Sequence, residues 1–130
     1  MFKLKTSLNI RKFAFCFLII SFYSCKPKTA LPDPLEAGWK GKKVCEVLQD
    51  NAELRVLKCT FAPGVGHEEH YHKKHFGYTL VGSKFKIKDA KGVREVDVPT
   101  GYSFSNEERT SHEVLNIGNE TAVFLIIEPK

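Results

Sequence analysis

Residues 64–82 read Gly64-Val65-Gly66-His67-Glu68-Glu69-His70-Tyr71-His72-Lys73-Lys74-His75-Phe76-Gly77-Tyr78-Thr79-Leu80-Val81-Gly82, and four of the chain's five histidines fall between positions 67 and 75. Packing alone does not explain so dense a cluster. On an extended strand side chains alternate, so His70 and His72 point the same way and both imidazoles can reach one ion. His75 has the opposite parity and needs a bend or a change of strand to join them, which Gly77 or the Lys73-Lys74 pair allows. The fifth histidine, His112, opens a later strand with Val114 and Asn116 on the same face and can complete the site from across the fold. Neutral imidazoles suit Zn, Cu, Fe and Ni alike, so the pattern points to a transition-metal site without choosing the ion.

Around this stretch the chain from Gly41 onward shows β-branched and aromatic segments between turn signals, and no sustained helical period. Val44–Leu48 and Leu54–Phe61 flank Asp50-Asn51 as a hairpin. Phe76–Val81 ends at Gly82-Ser83. Lys84-Phe85-Lys86-Ile87-Lys88 alternates, with Phe85 and Ile87 on one face and three lysines on the other. That ladder is either a solvated strand face or a basic patch for anions. Val93–Val98 follows the turn at Asp89–Gly92, and Pro99-Thr100-Gly101 makes another turn. His112–Ile117 and Thr121–Ile127 flank Gly118-Asn119, and the last run is apolar enough to be buried on both faces. About eight strands in this length predict a small all-β sandwich or barrel.

Cys45 and Cys59 lie symmetrically about residue 52, so the hairpin register sets them opposite each other. A cross-strand disulfide and two buried thiols are both compatible with that placement, and a one-residue slip would separate the sulfurs onto opposite faces.

The histidine stretch resembles the first motif of the cupins. Gly64, five residues, His70-Tyr71-His72, two residues, His75, six residues and Gly82 follow that pattern, with His75 standing where the family usually has Glu, one residue early. The end of the second motif resembles His112, three residues, Asn116, although Pro99-Thr100-Gly101 lies further ahead of His112 than usual. The resemblance covers roughly residues 42–128. It implies a small jelly-roll, or double-stranded β-helix, barrel of the RmlC-like kind, with one divalent transition metal (Mn, Fe, Zn, Ni or Cu) in its mouth. His70, His72 and His112 are then the expected ligands, and His75 makes a four-histidine site. His67 precedes the motif and is expected at the rim, where it is the substitute ligand if His75 faces outward. Glu68 and Glu69 read as solvated loop charges. Tyr78, Tyr102, Phe104 and Arg109 are candidate cavity or rim residues.

Three functions fit these residues: a metal-dependent small-molecule enzyme such as a dioxygenase or isomerase, a non-catalytic module holding a metal or small ligand, and a metal-free epimerase-like pocket with a histidine base. The histidine density argues against the third. Loss of the usual carboxylate removes one proton acceptor and weakens general-base catalysis. No Ser-His-Asp arrangement, Gly-rich phosphate loop or zinc-finger spacing competes. Homodimerisation is an expectation from the resemblance, since a two-sheet fold must protect its edges.

Further out, residues 1–24 hold Lys3, Lys5, Arg11 and Lys12 and no acid, followed by the apolar run Phe13–Ile20. This is the layout of a secretory signal peptide, and it is too short for the roughly 20 apolar residues of a spanning helix. Phe22-Tyr23-Ser24-Cys25 resembles a bacterial lipobox, which makes Cys25 the expected lipidation site of an extracytoplasmic, membrane-anchored lipoprotein; simple secretion or periplasmic release is the alternative. Residues 25–41, with Pro27, Pro32 and Pro34, read as an extended tether to a domain over 42–130. Without the leader, 16 basic side chains face 15 acidic ones, so the formal charge of +5 does not imply a nucleic-acid partner. One compact domain fits in this length, and a disordered, collagen-like or disulfide-dense chain is excluded.

Overall fold

The computed structural model describes residues 30–130; the expected leader and Cys25 lie outside the described residues. The described residues hold nine strands: β1 Cys45–Asp50, β2 Leu54–Phe61, β3 Gly66–His72, β4 His75–Val81, β5 Ser83–Asp89, β6 Gly92–Val98, β7 Ser103–Asn106, β8 Thr110–Asn116 and β9 Ala122–Pro129. They form two antiparallel sheets, in the orders β1-β2-β9-β4-β7 and β3-β8-β5-β6.

The closed jelly-roll barrel expected from sequence does not form. Each sheet keeps two edges, β1 and β7 in the larger and β3 and β6 in the smaller, and no ladder joins a strand of one sheet to a strand of the other. Closure requires an unbroken ring of paired strands. Here the chain crosses between sheets at short corners outside the strands, among them residues 62–65, Lys73-Lys74 and Gly82, so the fold is an open sandwich. Gly82 is required at its corner. A Cβ there would lie 2.1 Å from the Val98 carbonyl oxygen and 2.7 Å from Thr100 N, and both are backbone atoms.

The core lies between the sheets and is built from Leu57, Cys45, Cys59, Phe61, Phe85, Ala122 and Ile126, with Phe124, Val96, Val98 and Val114 packed against it. Phe61, Phe85 and Phe124 meet edge to face, at centroid separations of 5.5 to 6.0 Å. β5 has the alternation read from sequence, with Phe85 buried and Lys84, Lys86 and Lys88 exposed; Lys84 pairs with Glu95 at 3.0 Å, as on a solvated face. β9 departs from expectation. Ala122, Ile126 and Glu128 are buried, whereas Val123, Leu125 and Ile127 on its other face are only half-buried.

β1 and β2 pair with Cys45 directly opposite Cys59, and the two are joined by a disulfide. Residues 32–38, read from sequence as part of an extended tether, are docked along the edge strand β3. Tyr71 N donates to the Pro32 carbonyl at 3.1 Å and Glu68 N to the Gly38 carbonyl at 2.8 Å, so this segment covers one of the four sheet edges. Asp33 shapes the turn, accepting from Leu35 N at 2.9 Å, and anchors it through Arg55 of β2 at 2.6 Å.

Candidate metal centre

The register of β3 on β8 shifts by one residue between His67 and His70. Without this bulge His67 and His70, three apart, would face opposite ways; with it His67, His70 and His72 all turn inward and are buried. His112 sits directly across from His70 on β8. The corner at Lys73-Lys74 carries the chain to the other sheet, so that His75 opens β4 and its ring centroid lies 4.7 Å from that of His72. The change of strand needed to offset its parity is therefore present.

His70, His72 and His112 form a compact triad in which one ligand nitrogen from each lies within 4.8 Å of the others. His75 stands beside this triad rather than in it. His67, expected at the rim, is instead buried behind His70, with ring centroids 3.8 Å apart; its Nε2 donates to the Pro34 carbonyl at 3.0 Å. Glu68 and Glu69 are exposed, as expected, but lie within β3 rather than in a loop, and Glu68 accepts from Lys40 N at 2.9 Å.

Hydrogen bonds at the outer nitrogens fix the tautomers. His70 Nδ1 donates to the Glu68 carbonyl at 2.7 Å, His75 Nδ1 to the Lys73 carbonyl at 2.7 Å, and His72 Nδ1 to Glu128 Oε1 at 3.4 Å. Each Nε2 then carries a lone pair; those of His70 and His72 face each other, the arrangement that orients histidines toward a metal, while that of His75 accepts from Asn106 Nδ2 at 3.3 Å. His70 Nε2 and His72 Nε2 lie 2.9 Å apart. Two lone pairs at that distance repel unless a cation lies within reach of both. Nitrogens bonded to one ion at about 2.1 Å and at right angles lie about 3 Å apart, so the spacing is that of adjacent ligands. The residues present therefore fit a divalent transition metal.

Burial also favours the neutral form of three of the imidazoles. It pushes His70 down to about 2 and His112 down to about 3, in both cases reinforced by neighbouring histidines, and it lowers His75. Neutral rings compete for a metal without first losing a proton. Glu128 is the carboxylate hydrogen-bonded to the cluster, through His72. Burial alone would raise it, but hydrogen bonds from His72 and Arg55 hold it below the usual carboxylate value.

The cluster lies in a cavity of about 800 Å³ between the sheets, whose wall includes Phe61, Phe85, Phe104 and Phe124 and whose polar lining includes Arg94, Asp97, Tyr102 and Arg109. Of the four candidate rim residues, Tyr102, Phe104 and Arg109 line it. Tyr78 does not: it is exposed on the outer face of the larger sheet. Thr110, the register partner of His72, also lines the cavity, and its buried Oγ1 has no hydrogen-bond partner among the described residues.

Sequence reasoning missed Glu128 and its partner Arg55. The available signal was a lone carboxylate ending the apolar run Ala122–Ile127, a residue that is buried only when paired. It also missed Asn106 of β7, whose Nδ2 lies 3.3 Å from His75 Nε2. Asn116 serves the fold: its Nδ2 donates to the carbonyls of Phe61 and Glu120, each at 2.8 Å.

No family model matches the chain, and no curated protein is a significant match. Solved structures do match. A cupin domain from Bordetella pertussis Tohama I is 24% identical with a TM-score of 0.62, over 67% of this chain and 92% of its own. The polyketide cyclase RemF from Streptomyces resistomycificus is 19% identical with a TM-score of 0.55, over 65% of this chain and 63% of its own, so the match leaves out more than a third of that protein. A cupin superfamily protein from Desulfitobacterium hafniense DCB-2 is 14% identical with a TM-score of 0.52, over 65% of this chain and 74% of its own. These likenesses show that the chain has the cupin fold.

Proposed function

We propose that this cupin-fold protein binds one divalent transition metal through His70, His72 and His112, with His75 as the fourth imidazole, and presents it to a small molecule entering the cavity. The 2.9 Å approach of His70 Nε2 to His72 Nε2 carries the reading, because among the described residues neither atom has another partner that would stabilise it there. Mn, Fe, Zn, Ni and Cu are the candidate ions. When bound, such an ion supplies Lewis acidity toward a carbonyl or water oxygen. The chain's own residues hold the imidazoles in one tautomer, exclude water with the phenylalanine wall, and offer Thr110 Oγ1 as an unpaired polar contact beside His72.

A dioxygenase or isomerase is one use of such a centre, and a binding module without turnover is the other. One observation favours binding. Glu128, behind His72, is held by Arg55 Nε at 2.7 Å, and Asp89, across from His112, by both terminal nitrogens of Arg94 at 2.9 Å, so neither carboxylate is free to take a proton from a ligand.

The reading extends to location: the leader, lipidation at Cys25 and a membrane-anchored extracytoplasmic domain remain our proposal. It is supported by the Cys45–Cys59 disulfide, which persists in oxidising compartments. Mass spectrometry of the mature N-terminus tests it, and an unmodified residue other than Cys25 would overturn lipidation.

Elemental analysis of the protein purified without chelators tests the metal site, repeated on His70→Ala/His72→Ala. One equivalent of metal in the wild type and none in the double variant is the expected result. A wild type free of metal that takes up none on addition of Zn, Mn or Fe would overturn the reading. Oxygen uptake with candidate small molecules then separates enzyme from binder.

A further inference from the structure

We propose that Cys45–Cys59 is a reversible thiol–disulfide pair, opened from the cavity at Cys59 by a low-molecular-weight thiol, with His67 accepting the hydrogen bond of the Cys45 thiol that results. The two sulfurs are not equivalent. Cys59 lines the cavity, whereas Cys45 does not and instead faces His67, with Sγ 4.0 Å from Nδ1. His67 is 2% exposed and its Nε2 donates to the Pro34 carbonyl, so Nδ1 carries the lone pair. A disulfide sulfur has no hydrogen to give it. Among the described residues this buried acceptor is thus left without a donor while the pair is oxidised, and a Cys45 thiol satisfies it.

The exchange balances as follows. A thiolate in the cavity attacks Cys59 Sγ; the new S–S bond forms as the Cys45–Cys59 bond breaks, and the electron pair stays on Cys45 Sγ. That sulfur takes a proton from solvent and donates its S–H to His67 Nδ1. A second thiol displaces Cys59 from the mixed disulfide, Cys59 is protonated, and the reductant leaves as its own disulfide. Two electrons and two protons are transferred in all. Because His67 stacks on His70, this pair lies one ring behind the histidine triad, although the proposal does not depend on a bound metal.

Three measurements test it. The wild type is equilibrated in glutathione buffers under native conditions, quenched by alkylation and weighed. Reversible opening with an unchanged circular dichroism spectrum is expected, and reduction only on unfolding would overturn the proposal. Glutathione disulfide is then offered to Cys45→Ala and to Cys59→Ala. The adduct is expected on Cys59 of the first and not on Cys45 of the second, and the reverse pattern would overturn cavity-side attack. Finally, His67→Phe removes the acceptor and should shift the equilibrium toward the disulfide about fivefold, the equivalent of one net hydrogen bond. No shift would overturn the role of His67. The first two measurements leave His67 intact and decide reversible, cavity-side opening should that variant not fold, and His67→Leu then repeats the test of the acceptor.

Discussion

Glu128 Oε1 lies 3.4 Å from His72 Nδ1, and the same carboxylate is gripped from behind by Arg55, whose Nε donates to Oε2 at 2.7 Å. Arg55 also reaches Asp33 in the docked segment at 2.6 Å. One guanidinium thus ties together β2, β9, the segment covering the edge of β3, and the outer nitrogen of a histidine in the candidate metal cluster.

Glu128→Gln should therefore weaken the site without removing an imidazole. The carboxylate orients His72 and raises its basicity as a ligand, and losing such a partner costs on the order of 10- to 100-fold in metal affinity. Competition with a chromophoric chelator measures this, and unchanged affinity would detach Glu128 from the site.

Arg55→Met removes the common partner of two carboxylates, of which Glu128 is nearly inaccessible, at 4% side-chain exposure. Breaking a buried pair from one side costs about 3 kcal/mol, because the remaining charge is stranded. The midpoint of urea unfolding should fall accordingly, and Arg55→Lys should recover only part of the loss, since a lysine ammonium cannot fork between Asp33 and Glu128.

The same ion pair sets an acid limit. Burial works to raise the Asp33 carboxyl, but hydrogen bonding and attraction from Arg55 outweigh it and hold the group below its ordinary 3.8. A carboxyl whose folded pKa is depressed contributes stability that is fully present above its unfolded value and is lost as pH falls through the folded one. Asp33→Asn should thus lower stability at pH 7 and flatten its decline below about pH 4. Urea titrations from pH 7 to pH 2.5 check this; parallel curves would show that Asp33 does not contribute.

His112 and His75 should behave differently. His112 belongs to the triad, so His112→Ala should abolish stoichiometric binding, whereas His75→Ala should leave a weaker site with an altered cobalt absorption spectrum. Identical losses would place both histidines on equal footing, and an unchanged spectrum in His75→Ala would remove His75 from the ligand set.

Much of this arrangement was legible in the chain because a strand has a period of two. Parity alone puts His70 with His72 and Phe85 with Ile87, and symmetry about residue 52 puts Cys45 opposite Cys59. What parity cannot show is where the period breaks. The bulge that turns His67 inward lies within Glu68-Glu69, two charges with no bulge signature, and β7 is a four-residue strand, Ser-Phe-Ser-Asn, too short and polar to register. Nor does alternation say which strands pair across a gap. Whether two sheets close depends on the corners, and those at Lys73-Lys74 and Gly82 read as bends or turns that do not show which sheet follows. Glu128 was hidden because its partners come from Arg55, 73 positions earlier, and from His72.

The Gly82 corner provides a prediction that separates fold from site. β4 ends at Val81 and β5 begins at Ser83, so a single residue carries the chain from one sheet to the other. An added methyl at Gly82 meets the Val98 carbonyl oxygen at 2.1 Å and the Pro99 carbonyl carbon at 2.7 Å, and backbone held in place by the β5–β6 ladder cannot move aside as a flexible side-chain tip would. Overpacking of this kind costs about 1–3 kcal/mol, and Gly82→Ala should lie toward the upper end. The strain falls at the end of β4 away from His75, six residues distant at the start of the strand. The folded variant should therefore bind metal as tightly as the wild type while unfolding at lower urea. If metal affinity fell along with stability, the two ends of β4 would be mechanically coupled, and the histidine cluster would depend on the corner as well as on β3 and β8.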